Sequence, residues 1–584
     1  MWDRPEEINL MTLNCWGLKY VSKLRRERLA EIGRQISIAS PQPHIVALQE
    51  CWTQEDYRSI RRQTRFILPY GKFYHSAVLG GGLAILSRWP IEESTMYRYP
   101  LNGRPTAFWR GDWYVGKGVA CAKIRYGAGP KQVVEVFNTH THAPYEGGKP
   151  DDSYLCHRTA QSWEIAKLLR GAAERGHLVL AMGDFNMIPM SPEYQLITAL
   201  APVSDVWRVL HPDSSVGPAY HPAEEARRRP IPTAEFNILE NGATSDGPYN
   251  TWRWTKAQQK LLGPGKDPVT VPPDTPDPLG KRLDYIFASS GDVLALGGAW
   301  MVKRASVGMM MRHPELGCSL SDHFAVEATL AFHPSRQAST SPSPPPPLPE
   351  PGSNNNAVSN GGSILGAATA AAGAAAGAAA GVGGIPINPP DEPTPPTSPE
   401  EAARKADSAL HNGAYLQLHS PAPSLHSSIT TATGPATAAA AAAAADATEQ
   451  QRPPSSSLPP AAYDAILALI ASYTARSRGQ RTWRARHFFL SLLVTVACLV
   501  GVWFTPSGKT YVAFILTLVA ALGLVAGTVD GLMALLFFGS ELKALREFEW
   551  EVRNARKRAL LDALRDDDGG GGGEAADHVG EEEW

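Results

Sequence analysis

Across the first 333 residues the apolar positions come in short runs bounded by Gly, Pro or Asn: INLMTLN, HIVALQE, GGLAILS, VVEVFNTH, LVLAMGDFN, RLDYIFA and HFAVEATLAF. Runs of this length, rich in β-branched and aromatic residues, predict strands. Between some of them, over 24 to 38 and 158 to 170, the apolar residues recur at helical spacing. The mixture predicts one layered α+β or α/β domain over residues 1–333, large enough to bury a substantial core.

After Phe332 the pattern stops. SPSPPPPLPEPG, GAATAAAGAAAGAAAGVGG and PPDEPTPPTSPEE follow, and Tyr415 is the one aromatic residue between 334 and 460. Such a segment has too little apolar surface to offset its chain entropy, which predicts a disordered Pro/Ala/Gly-rich linker over 334–460. Order is expected to return at AAYDAILALIASY, as a basic juxtamembrane helix over 461–486 that ends with five arginines. Two apolar stretches come next, His487 to Phe504 and Tyr511 to Phe538. As helices they measure about 27 and 42 Å, against a hydrocarbon core of ~30 Å, so both can span.

Only TPSGKT separates the two stretches, which predicts a transmembrane hairpin (487–504 and 511–538). Five arginines precede it, Lys509 alone sits in its loop and six basic residues lie between 543 and 558. The positive-inside rule then puts both ends in the cytosol. Asp530 interrupts the second stretch and is read as a boundary residue rather than a functional group at membrane depth. In 539–565, Leu545, Phe548, Val552, Ala555 and Ala559 recur at helical spacing beside four basic residues. That pattern fits an amphipathic helix on anionic lipid, and fits a helix packed on the catalytic domain almost equally. Residues 566–584 read as an acidic disordered tail.

Composition narrows the function. Lys and Arg number 55 against 57 Asp and Glu, so the net charge is -2 and no strongly basic face is available; no nucleic-acid partner is expected. The N-terminus, MWDRPEEINL, lacks the basic and then apolar regions of a secretory signal. Six scattered cysteines without a C-x-x-C pair read as reduced cytosolic thiols rather than a zinc site or a disulfide framework.

The candidate chemistry lies where strands end. Asn14 closes the first strand, Glu50 the second, and His140 and His142 follow VVEVFNTH. Asp184 and Asn186 follow LVLAMG, while Ser321, Asp322 and His323 precede the last strand. Taken singly, each has an ordinary structural reading. Together, Glu plus Asn suits a hard cation such as Mg²⁺, and a His beside an Asp suits a general base that activates water. Phosphoryl hydrolysis needs both parts. By residue pattern alone, Asp112 and Lys117 read as exposed charges on a turn, and the glycines around Lys117 do not have nucleotide-loop spacing.

TLN, LQE, the strand ending in TH, GDFN, RLDYI and SDH occur here in the order found in the exonuclease, endonuclease and phosphatase superfamily, which residues 8 to 333 resemble. The resemblance implies a four-layer fold, a β-sandwich of two sheets flanked by helices. Within that superfamily, GDWYVGKGVA (111–120), NTHTHAPY (138–145) and the C-terminal hairpin followed by ELKALREFEWEV resemble neutral sphingomyelinases and fungal inositol phosphosphingolipid phospholipases C. The expected activity is therefore Mg²⁺-dependent cleavage of a membrane sphingolipid to ceramide and a phosphorylated head group, with anionic phospholipids as activators. The endoplasmic reticulum is the first expectation for the membrane, ahead of the mitochondrial surface or plasma membrane.

Carried onto this chain, the resemblance makes Glu50 the principal metal ligand with Asn14 beside it, and His323 the base supported by Asp322. Asp184 and Asn186 would position water or phosphate, and His140 would act at the leaving-group side. Asp284 would stand behind the site, and Asp112 with Lys117 would form an activation switch. The alternatives are a tethered nuclease or phosphoinositide phosphatase on the same fold, and a catalytically dead membrane scaffold. KRLDYIF stands where inositol polyphosphate phosphatases carry a Cys-Asp-Arg signature.

Overall fold

The computed structural model describes residues 4–107, 110–145, 152, 154–335 and 458–567. Most of the expected linker and of the acidic tail lies outside the described residues. All seven runs singled out above are strands, and five more complete two six-stranded sheets. The first sheet runs β11-β12-β1-β2-β4-β3, with β1 Glu7–Asn14, β2 Ile45–Gln49, β3 Tyr70–Tyr74, β4 Leu83–Ser87, β11 Gly298–Gly308 and β12 Ala325–Pro334. The second runs β5-β6-β7-β8-β10-β9, with β5 Ile91–Arg98, β6 Gly118–Arg125, β7 Val133–His140, β8 Leu178–Asp184, β9 Ser204–Asp205 and β10 Asp284–Ala288.

Each sheet has one parallel pair at its centre, β1 with β2 and β7 with β8. These pairs require a helix to cross over, and α1 (Arg25–Ile38) and α4 (Leu155–Glu174) supply it. The inner faces of the sheets share one core, in which Ile8, Leu10, Ile45 and Ala47 meet Ala120, Ile124, Val136, Leu180 and Ile286. The outer face of the first sheet packs on α1 and α2 (Gln54–Thr64) through Ile32, Ile36 and Ile60. That of the second packs on α4 and α5 (Pro192–Leu200). The four-layer expectation is met: β2, β7 and β8 are buried along their whole length, as strands covered on both faces must be.

Two buried polar features pin the layers. Gln49 donates to Thr12 Oγ1 (3.0 Å) and to Asn138 Oδ1 (2.7 Å), and Asn138 donates to the Leu48 and Ala84 carbonyls (both 2.9 Å), which ties one sheet to the other. Arg282 makes a two-pronged pair with Asp205, 2.9 and 2.8 Å, with both side chains excluded from water. Asp205→Ala would strand the guanidinium, and the cost is expected to be about 3–5 kcal/mol. A thermal midpoint unchanged from the parent protein would show that water reaches Arg282.

At the C-terminal end, the expected basic helix and first span are one unbroken helix, Pro460–Trp503. Residues 505–509 turn the chain into Thr510–Leu532, a π-helical turn follows at Met533–Phe537, and Phe538–Asp567 continues beyond it. Among the described residues, two helices are long and apolar enough to cross a membrane. Asp530 is paired with Arg484 and with His487 (2.7 Å) on the first helix, so its charge is matched by the basic segment that precedes the span. The trailing helix lies on the second sheet's outer layer. Leu545, Phe548 and Val552, with Tyr463, Ile466 and Ile470 of the first helix, join the core of α4, and Glu551 bonds Trp163 Nε1 (2.7 Å) and Lys167 (2.6 Å).

Candidate active site

The expected site residues converge at one end of the two sheets, and the local sequence explains how. At the end of β1 the Asn14 carboxamide accepts from Trp16 N (2.9 Å), and at the end of β8 the Asp184 carboxylate accepts from Asn186 N (2.9 Å). These are matching Asx turns, and in both the residue that donates is left-handed, Trp16 at φ 47° and Asn186 at φ 46°. Glu50 just past β2 also has a left-handed backbone, φ 53°. Strained non-glycine positions gathered at strand ends are characteristic of functional sites. Gly183 has no alternative: a Cβ there would lie 2.0 Å from the Thr139 carbonyl, in the close approach of β7 and β8 that sets Asp184 opposite His140.

Asn14 is the hinge of the site. Its amide donates to Glu50 Oε1 (3.1 Å) and to Asp184 Oδ2 (3.0 Å), which brings carboxylates from two sheets to one point. Around Asp184 Oδ2 stand His140 Nε2 (3.5 Å) and His323 Nε2 (3.9 Å). Asn186 is fixed to the Thr141 carbonyl (3.1 Å), and so is the buried ammonium of Lys117 (2.9 Å). Beneath them Arg28, fully buried, donates to the carbonyls of Cys15 (3.1 Å), Trp16 (2.7 Å) and Leu320 (2.7 Å), locking together the loops that carry Asn14 and His323. No feature of the sequence analysis picked out this arginine.

Two expectations need correction. The carboxylate that bonds the His323 ring is Asp284, whose Oδ2 lies 2.8 Å from Nδ1, while its neighbour Asp322 is a weaker electrostatic influence on it. Asp322 accepts from the Ser321 hydroxyl (3.4 Å), while Asp284 at the start of β10 bonds the His323 ring directly. Asp112 and Lys117, read from the residues alone as exposed charges, are both buried. Asp112 faces His142 Nδ1 (3.4 Å) and accepts from the Tyr145 hydroxyl (3.3 Å).

Behind His142, a chain of buried polar side chains runs outward. His157 of α4 stacks edge-on with His142 and Tyr473, and the Tyr473 hydroxyl donates to Glu541 (2.7 Å), which also accepts from Ser477 (3.1 Å). It leads from the Asp112 side to the helices flanking the apolar hairpin. His157 and Tyr473, where its two halves meet, are 316 residues apart in sequence, with no local motif to announce the pairing.

The electrostatics follow from crowding. Burial, then the charge of Asp322, lifts the Glu50 carboxyl to about 7. Burial also raises Asp184, with Asp284 adding to it. Burial opposes the charged form of His323, yet Asp284 and Asp184 outweigh it and hold its pKa well above the usual range. Burial, Lys117 and His323 push His140 well below its usual value. Burial likewise lowers Lys117.

A divalent cation fits this donor set. Glu50 and Asp184 meet at the Asn14 amide, Asp322 disfavours the charge of Glu50 and Asp284 that of Asp184, so a carboxylate here is costly to ionise without a positive partner. Ligand atoms of Asp184, Asp284 and His323 also lie within 4.8 Å of one another. The 2.8 Å hydrogen bond commits Asp284 and His323 Nδ1 to each other, which leaves Glu50 and Asp184, the pair sharing Asn14, as the better cation ligands. His140 Nδ1 is buried without a hydrogen-bond partner among the described residues, as expected of a group that waits for a ligand atom.

The model of the endonuclease/exonuclease/phosphatase family matches residues 11–323. Inositol phosphosphingolipids phospholipase C of Schizosaccharomyces pombe is 43% identical over 329 residues, 56% of this chain and 69% of that protein. The Saccharomyces cerevisiae protein of the same name is 29% identical over 568 residues, 94% of this chain and 90% of its own. Human sphingomyelin phosphodiesterase 2 is 30% identical over 323 residues, 55% of this chain and 64% of that protein.

Proposed function

The chain belongs to the endonuclease/exonuclease/phosphatase family, and from that membership we propose that it is a membrane-anchored, Mg²⁺-dependent phospholipase C. Its substrates are inositol phosphosphingolipids or sphingomyelin, the lipids named in its relatives, and its products are ceramide and a phosphorylated head group. The observation that carries the reaction is the meeting of Glu50 and Asp184 on Asn14, with His323 Nε2 3.9 Å from Asp184 and its ring held by Asp284. The two apolar helices favour a lipid as substrate, since enzyme and substrate then share one surface.

In the proposed reaction, Asp284 holds His323 Nδ1, so that Nε2 takes the proton of a water aligned for in-line attack on phosphorus. A P–O bond forms to that water and the P–O bond to the ceramide oxygen breaks. Asn186 and Lys117 donate to the phosphate oxygens as negative charge moves onto them, while both amide hydrogens of Asn14 stay on Glu50 and Asp184. His140 sits beside Asp184 and shields the leaving oxygen's side. Glu50 and Asp184, with Asn14 beside them, would hold Mg²⁺, which would supply neutralisation of developing negative charge. The departing ceramide alkoxide takes its proton from solvent water. Asp112 and Lys117 act as the activation switch, with anionic phospholipids at the basic flanks as activators. Both ends of the hairpin face the cytosol.

The test is ceramide release from inositol phosphorylceramide and sphingomyelin by detergent-solubilised full chain, beside cleavage of a DNA duplex, with Mg²⁺ or EDTA. Ceramide is expected only with Mg²⁺. DNA cleavage without ceramide would overturn the substrate and leave the fold untouched.

A further inference from the structure

The loop from His75 to Gly82, between β3 and β4, joins the metal side of the cleft to the apolar hairpin. At one end Gly82 accepts from Cys51 N (3.0 Å), the residue after Glu50. At the other, Leu79 N donates to the Tyr114 carbonyl (3.1 Å) and Ser76 donates to the Gly116 carbonyl, so the loop rests on the short helix α3 (Asp112–Val115) and on the residue before Lys117. Gly80 and Gly82, at φ 84° and 66°, turn the loop tip outward. The tip is apolar and bare: Val78 is 81% exposed and Leu79 57%. Two aliphatic side chains stand side by side in water at the tip of a loop whose base is firmly held, an apolar patch open to a covering surface.

The same helix α3 shows what that surface is. Trp113 packs against Phe537 with ring centroids 4.5 Å apart. Phe537 lies seven residues past Asp530, about 10 Å along the helix. Trp483, 61% exposed and stacked on His487, stands at nearly the same level of the antiparallel first helix. Thr106 of the catalytic domain borders a cavity of about 220 Å³ with Gln480, Trp483 and Arg484. An exposed Trp next to arginines, just outside a long apolar span, marks a membrane–water interface. Thr106 and the helix α3 therefore stand at the interface level, and the loop bonded to Tyr114 stands with them.

We propose that Val78 and Leu79 form a membrane-docking tip that enters the head-group boundary of the bilayer crossed by the hairpin. Docking there seats the mouth of the cleft on the lipid plane, so that a head group reaches Glu50 and His323 while its acyl chains stay in the membrane. The inference rests on the membrane-anchored reading and adds a contact that neither the hairpin nor its basic flanks supply.

The test uses full chain in proteoliposomes. An environment-sensitive fluorophore is placed on Val78→Cys in a Cys498→Ser background, the other five cysteines being buried. The expected result is a blue-shifted emission that is quenched by lipids spin-labelled near the head group. Water-like emission without quenching would overturn the proposal, whether or not the protein cleaves sphingolipids. In parallel, Val78→Asp with Leu79→Asp is expected to raise KM for vesicle substrate about tenfold, less than full burial of two aliphatic side chains would give, because the hairpin still holds the enzyme on the vesicle. Turnover of a short-chain, water-soluble sphingolipid phosphodiester should be unchanged. Equal losses on both substrates, or none on either, would refute docking by this loop.

Discussion

Replacing His323 by alanine is expected to reduce kcat about ten-thousand-fold, the upper range for loss of a positioned general base. KM should change little, because the side chain lies beside the reacting water and the lipid is held elsewhere. The partner substitution separates a positioned base from a merely buried histidine. Asp284→Asn keeps the shape and one hydrogen bond but removes the anion 2.8 Å from Nδ1. That anion is a main reason the His323 pKa stands above its usual range. Without it the imidazolium loses stabilisation, so the acidic limb of the kcat profile must move to lower pH, with kcat down about a hundredfold. Asp322→Asn, which removes a weaker influence on the same ring, should displace the limb less. A limb that moves further with Asp322 than with Asp284 would reassign the dyad to adjacent residues.

That assignment shows what could be read in the sequence and what could not. Strand runs and helical spacing were legible because they are local: a strand buried on both faces has to be apolar throughout, and β2, β7 and β8 are. The polar residues at strand ends were legible as a set because each ends an apolar run. Their pairing was not, since it depends on which strands face each other. His323 has Asp322 next to it in sequence, yet that carboxylate accepts from Ser321 and β10 delivers Asp284 from another sheet. Gln49 and Asn138 sit inside the same motifs as Glu50 and His140, and tie the two sheets beneath the cleft. For Asp112 and Lys117 the residues alone suggested an exposed turn. Burial of both came from tertiary packing under Tyr145 and Thr141, which no local pattern encodes. The trailing helix was equally ambiguous between lipid and protein until α4 was seen to fill its apolar face.

Glu50→Gln is expected to act in opposite directions on stability and on activity. Among the site carboxylates, Glu50 is held by Asn14 on one side and by the unfavourable charge of Asp322 on the other. Its folded pKa, about 7, lies above the ordinary 4.5, so the unfolded chain gives up the proton first and the empty site loses stability as pH rises between those values. Glutamine carries no such penalty. In EDTA near pH 7.5 or above, Glu50→Gln should therefore melt higher than the parent protein. Adding Mg²⁺ reverses the order, because a cation that binds only the folded state raises the midpoint by mass action and the parent holds it far better. Activity should fall about a thousandfold or more, comparable to losing a principal electrostatic stabiliser of the transition state. Thermal unfolding of both proteins across a Mg²⁺ titration, beside ceramide release, reads all three effects. A Glu50→Gln protein still stabilised by Mg²⁺ as strongly as its parent would shift the cation to the group formed by Asp184, Asp284 and His323, whose ligand atoms also lie close enough to hold one.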